Sequence, residues 1–241
     1  MDITIDQAGW ASTATRYQIK ARPDEKGNVF TPVSLGMHPD IKQLFGGPRG
    51  LVLHCTDVVV TNAASFARRT ATTSPRKSAY TFLIGLAGDL HQLCSIFDRP
   101  WHAGRDPSAY AEIAAKGTLR GKKVSAGTVQ KVKKVYSAQT KAWSWPVVGD
   151  RAVQNPNNWG PGIEIMGTPG LPAPAQQETL RALVAALLEH TPIQPDGVWR
   201  HGDLDPLHRK DPGFALADVL QEVLDWHARE SDGWNAEGGP E

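Results

Sequence analysis

Gly50-Leu51-Val52-Leu53-His54-Cys55-Thr56 is the stretch from which the fold is read. An aliphatic, β-branched run that opens after a glycine predicts a strand, and His54 stands at its end. Cys55, its neighbour, falls on the opposite strand face and reads as a small buried hydrophobe. Thr61-Asn62 then offers a helix N-cap before Ala63–Arg69. Two apolar runs, Tyr80–Leu86 and Leu90–Ile96, flank Gly88-Asp89 and predict a β-hairpin. Farther on, Gly162–Met166 predicts a short buried strand. Residues 175–190 predict the longest helix, with Leu180, Leu183, Val184, Leu187 and Leu188 at i, i+3, i+4, i+7 and i+8. Val198–His201 predicts a last strand. Leu216, Val219, Leu220 and Val223 mark a C-terminal helix after Pro212-Gly213. Strands alternating with helices predict an α/β fold: a single domain with a central mixed β-sheet flanked by helices.

The chain outside these elements sets bounds. Its 241 residues are 40% hydrophobic and 21% charged, enough to bury one sizeable core. Lys and Arg number 26 against 25 Asp and Glu, so a globally acidic or basic polyelectrolyte is excluded. No apolar run approaches the roughly 20 residues of a membrane span. The start, MDITIDQAGW, lacks the cationic and apolar regions of a signal peptide, and a soluble chain made in the cytoplasm is expected. Two cysteines, Cys55 and Cys94, exclude a disulfide framework and a cysteine-rich zinc module. Residues 1–49 read as an irregular N-terminal extension with a short strand or two, and 231–241 as a frayed tail. A basic insertion is expected at about 106–156, partly helical around Gly127–Thr140. Residues 105–156 hold ten Lys and Arg against three Asp and Glu. Such a run is either a solvated face or, with Trp143 and Trp145, a surface for anionic polymers. No recognition-helix or single-strand motif accompanies it, so no nucleic-acid partner is expected.

Three positions carry the chemistry. His54 ends the first strand, His201 ends the last, and Asp211 follows in Arg209-Lys210-Asp211-Pro212-Gly213. Two imidazoles and one carboxylate can make a three-ligand zinc site with an open fourth position. There zinc lowers the pKa of water toward 7. The spacing carries no local signature, so a packed strand histidine and a hydrogen-bonding loop histidine stand as the alternative. His208 is a further imidazole near Asp211 and reads as solvated; His91, His190 and His227 read as surface groups.

The order of the blocks adds to this. His54-Cys55-Thr56, Tyr80-Thr81-Phe82-Leu83-Ile84, Trp101-His102-Ala103-Gly104, Asn158-Trp159-Gly160-Pro161-Gly162-Ile163-Glu164-Ile165 and His201 to Gly213 follow one another. This set resembles the zinc-dependent N-acetylmuramoyl-L-alanine amidases of the type-2 amidase and peptidoglycan recognition protein superfamily, over about residues 50–228. The resemblance implies one Zn2+ per chain on His54, His201 and Asp211. It implies Glu164 as general base and then proton donor to the leaving amine. In many members a Lys stands two residues before the third ligand; here Arg209 takes that place and would stabilise the oxyanion. Tyr80 matches a tyrosine that assists the carbonyl in some members, while the histidine that often follows it is Thr81 here. Trp101 and His102 would line the cleft and bind substrate.

The implied reaction is hydrolysis of the amide between N-acetylmuramic acid and L-alanine. Peptidoglycan or muropeptides would be the partners. A non-catalytic peptidoglycan-binding module is the alternative from another class, and a cytosolic muropeptide-recycling amidase the alternative within the enzymes. The extra segments favour a cell-wall-degrading phage-type lysin or an injected antibacterial effector. Either would reach the cell wall or periplasm through a holin or a secretion system, and an effector implies an immunity protein as a further partner.

Overall fold

A computed structural model describes residues 2–19, 22–23, 29–30, 33–34, 46–57, 62–72, 79–103, 107–119, 121–130, 132–133, 157, 159–205 and 209–236. Thr61, Gly104, Asn158, Trp143, Trp145, His208 and most of the basic segment lie outside the described residues.

Six strands form the central sheet: β1 (Thr15–Arg16), β2 (Leu51–Cys55), β3 (Phe82–Ile84), β4 (Leu90–Gln92), β5 (Gly162–Ile165) and β6 (Val198–Arg200). Their order across the sheet is β1-β4-β3-β5-β2-β6. Only β3 and β4 run antiparallel, as the hairpin expected around Gly88-Asp89; the remaining pairs are parallel. Gly88 has a φ of 82°, and a Cβ there would lie 2.6 Å from the Ala175 carbonyl oxygen. A side chain would therefore be strained and would collide with the helix beneath the hairpin.

The helices are α1 (Ala63–Thr72), α2 (Pro107–Lys116), α3 (Pro174–His190), α4 (His201–Leu204) and α5 (Leu216–Ala236). Asn62 caps α1, its Oδ1 accepting the Ser65 N–H at 2.8 Å. Pro174 opens α3, where a missing N–H costs nothing. Gln176 in its first turn donates to the Met166 carbonyl at 2.8 Å, tying the helix to the end of β5.

The pleat sorts the side chains. Leu51, Leu53, Phe82, Ile84, Ile163 and Ile165 face one way and meet Leu180, Leu183, Val184 and Leu187 of α3 and Val219 and Leu220 of α5 in one core. The expected helical stripe is thus the one that is buried. On the opposite face Ala63 and Ala67 of α1 pack with Tyr80, Leu83, Leu93 and Met166. Alanines keep α1 close over β3 and β4, while the far ends of β2 and β5 carry polar groups on this face.

Several expectations are refined. The N-terminal segment adds the edge strand β1 and is tied down by buried Gln92. That side chain accepts the Ala11 N–H and donates to the Gly9 carbonyl, at 2.8 and 2.7 Å. The last strand stops at Arg200, because His201 starts the short helix α4. Helix α5 continues through Ser231 to Ala236, beyond the expected start of the tail. His91 is buried, not a surface group: Asp89 holds one ring nitrogen at 2.5 Å and the Tyr17 hydroxyl the other at 3.2 Å. Within the basic segment, helix occurs in α2 and at 126–130 and 132–133, and Ile113 and Val132 nucleate a small core with Leu119, Val124 and Val129. Among the described residues no helix is long and apolar enough to cross a membrane.

Candidate active site

Three of the expected residues meet at the ends of β2 and β6. His54 is the fourth residue of β2, and His201 leaves β6 as the first residue of α4. Asp211 returns to both on the loop that follows, held by the Gly202 N–H donating to the Asp211 carbonyl at 2.8 Å. Arg200 closes the base of this loop. Its guanidinium donates twice to Asp203, at 2.7 and 2.6 Å, and once to the Phe214 carbonyl at 2.9 Å. The bidentate pair fixes a rigid fork beneath the two presented side chains.

The Nδ1 atoms of His54 and His201 lie 2.9 Å apart. Asp211 Oδ2 lies 3.1 Å from the His201 Nδ1 and 3.6 Å from the His54 Nδ1. One ligand atom from each residue falls within 4.8 Å of the others. Both rings are buried, and the His201 Nε2 has no hydrogen-bond partner among the described residues. Burial pushes the His54 imidazole down to about 4, against the opposing pull of Asp211. Asp211 is held well below the usual carboxylate range: burial works against this, but the His201 hydrogen bond and the proximity of both imidazoles outweigh it. At neutral pH the trio therefore offers lone pairs of a neutral His54 imidazole and an ionised carboxylate, converging on one point. Two nitrogens and an oxygen in that arrangement suit a divalent cation, zinc above all.

Glu164 is brought to the same place by register. Strands β5 and β2 run parallel with Glu164 opposite His54, so the two side chains emerge side by side on one sheet face. Flanking Ile163 and Ile165 point into the core on the other face, which leaves Glu164 half-buried at the polar edge. Arg209 is exposed on the loop that carries Asp211, and its charge further disfavours protonation of His54. Trp101 is 45% exposed, an aromatic face open to solvent.

Two residues are placed differently from the roles expected of them. Tyr80 donates its hydroxyl to Thr70 Oγ1 of α1 at 3.2 Å, and its ring stacks on Phe66. Burial drives its pKa far up, with the Glu164 charge adding to the effect, so the phenol keeps its proton. His102 turns inward: its Nδ1 lies 3.0 Å from the His54 Nε2, and its Nε2 donates to the Gly160 carbonyl at 3.2 Å. Burial and the adjacent His54 keep it neutral, well below the usual histidine value. Neither ring nitrogen is left to face a substrate. Both cysteines are free, and burial raises Cys55 to about 11 and Cys94 still higher, so neither is a thiolate nucleophile.

Sequence reasoning passed over Arg200 and Gly162. Arg200 carries a local signal, an Asp three residues on at Asp203. Gly162 carries none, since its importance lies in what packs on it.

An α/β sheet whose edge gathers two imidazoles, two carboxylates and a cation has the groups a hydrolase uses on an amide. The family model N-acetylmuramoyl-L-alanine amidase (Amidase_2) matches residues 45–214, and the chain belongs to that family. It is a peptidoglycan amidase with the mixed α/β fold expected from the order of its blocks. Among solved structures it is similar to a selenomethionine derivative of AmpD, at 20% identity, 91% of this chain, 98% of that chain and a TM-score of 0.49. It is also similar to AmpDh3 from Pseudomonas aeruginosa in complex with an anhydromuramic pentapeptide, at 19% identity, 80% of this chain, 69% of that chain and a TM-score of 0.44. A mutant endolysin from Bacillus subtilis is similar at 14% identity, 88% of this chain, 97% of that chain and a TM-score of 0.44. Comparison with curated protein sequences returns no match.

Proposed function

We propose that the chain is a zinc-dependent amidase that cleaves the bond between N-acetylmuramic acid and L-alanine, with His54, His201 and Asp211 holding the ion. The observation that carries this reading is the convergence of three acceptor atoms within 4.8 Å, with Glu164 in register beside them. Zinc bound there supplies Lewis acidity toward the lactyl carbonyl and acidifies water. Glu164 takes a proton from the attacking water as the new C–O bond forms. It then gives that proton to the amide nitrogen as the C–N bond breaks, releasing a lactyl carboxylic acid and a peptide with a free amine. Arg209 places positive charge where the carbonyl oxygen gains negative charge, the work of an oxyanion donor. Trp101 offers a stacking face to a sugar ring. Tyr80, engaged by Thr70, lines the wall near Glu164 and takes no part in proton transfer.

The substrate we favour is the intact wall. Lys116, Lys122, Lys123 and Lys133 are exposed around the small core of the basic segment, which supports contact with anionic wall polymers and hence a lysin or effector over a recycling enzyme. Metal analysis tests the site: the protein purified with zinc carries one equivalent, and His54→Ala and Asp211→Ala each carry far less. Full zinc content in both variants would remove these residues from the metal site.

A further inference from the structure

Resting on the reading that His54 binds the metal, we propose that His102 is a positioning residue that fixes the proton of His54 on Nε2 and so directs its Nδ1 lone pair toward His201 and Asp211. The assignment follows from a chain of contacts that can be read in one direction. A carbonyl oxygen only accepts, so the His102 Nε2 facing Gly160 at 3.2 Å bears a proton. A neutral ring protonated there presents a bare Nδ1, and this atom lies 3.0 Å from the His54 Nε2. That contact is a hydrogen bond only if His54 donates from Nε2. Its Nδ1 is then unprotonated, and it is the atom 2.9 Å from the His201 Nδ1 and 3.6 Å from Asp211. The alternative, a doubly protonated His102 beside a second imidazole, would bury a cation with no carboxylate against it among the described residues.

The surroundings hold His102 in this pose from several sides. Asn157 Oδ1 accepts the backbone N–H of His102 and of Ala103, both at 2.8 Å, and its Nδ2 donates to the Ala103 carbonyl at 2.8 Å. The ring lies over Gly162 so closely that a Cβ there would come 2.6 Å from the His102 Cγ. Gly160, whose carbonyl anchors the chain of contacts, is equally confined: a Cβ on it would come 2.3 Å from the Gly50 carbonyl oxygen. The block Trp159-Gly160-Pro161-Gly162 therefore supplies both the seat and the acceptor for His102. A ligand imidazole with its far nitrogen tied in this way loses tautomeric freedom and gains basicity.

The test is zinc affinity by chelator competition on the whole chain, with the melting temperature recorded alongside. His102→Ala is expected to weaken zinc about 10–100-fold. In His102→Asn, the amide oxygen can stand where Nδ1 stood and accept from His54, so it should recover most of the loss. Gly162→Ala, which displaces the ring without removing it, should weaken zinc in the same direction. Nitrogen-15 NMR of the zinc-loaded wild type is expected to show His54 metallated through Nδ1 and protonated on Nε2. Ligation of His54 through Nε2, or unchanged affinity in His102→Ala, would overturn the role of His102 while leaving the metal site standing. A wild type that binds no zinc would instead overturn the site itself and the role of His102 with it.

Discussion

Glu164 stands beside His54 because two parallel strands place them in register, and an isoleucine on either side leaves its carboxylate nowhere to point but the polar edge. Its assigned work is proton transfer, which does not require it to hold the ion. Glu164→Gln should keep its zinc and lose about 10²–10⁴-fold in kcat, the usual contribution of a general acid-base group. Metal content and single-turnover rate on a defined muropeptide check both halves; a variant with normal rate would remove Glu164 from the reaction. His54, His201 and Asp211 could be picked from the sequence, since the ends of apolar strands and the loop beyond are where polar side chains can converge; Glu164 stands out only through the resemblance of its block to the amidases. The inward turn of His102 could not. Trp101 and His102 read as the lining of the cleft until the fold brings Gly160 and Gly162 beneath His102, and no local pattern says which way the ring faces. Tyr80 likewise is chosen by Thr70 and Phe66 on α1, contacts made only when the helix folds over the strand.

Among the elements, β2, the β3–β4 hairpin, α3 and α5 follow directly from apolar periodicity and turn residues. Strand β1 does not: it is two residues long, both exposed, and is held by pairing with β4 and by the buried amide of Gln92. Backbone pairing of this kind leaves no hydrophobic trace in the sequence. Helix α3 sits on the face of the sheet away from the site and supplies the core. Leu183, fully buried there, should cost about 2–5 kcal/mol when cut back to alanine. Urea denaturation would measure this, and zinc content at low denaturant should be unchanged because the cavity opens behind the sheet. A loss below 1 kcal/mol would mean that α3 is not packed as described.

Taken as a whole, the molecule concentrates its pH sensitivity at one sheet edge. In the metal-free protein His54 protonates near 4, against 6.5 in an unfolded chain, and His102 is shifted in the same direction. The unfolded state therefore binds more protons than the folded state as pH falls from 6.5 toward 4, so stability falls across that window. His54 alone accounts for a loss on the order of 3 kcal/mol. Asp211, held low by its two histidine partners, extends the loss below pH 3.8. Denaturation midpoints in the presence of a chelator should decline from pH 7 to pH 4, and a flat profile would contradict the burial of neutral imidazoles. Digestion of purified Gram-negative sacculi reads out the amidase reaction itself. With zinc, mass spectrometry should find free stem peptides beginning in L-alanine beside peptide-free glycan; a chelator should abolish both and added zinc restore them. Release of soluble muropeptides with the lactyl–alanine bond intact, or unchanged digestion in chelator, would contradict it.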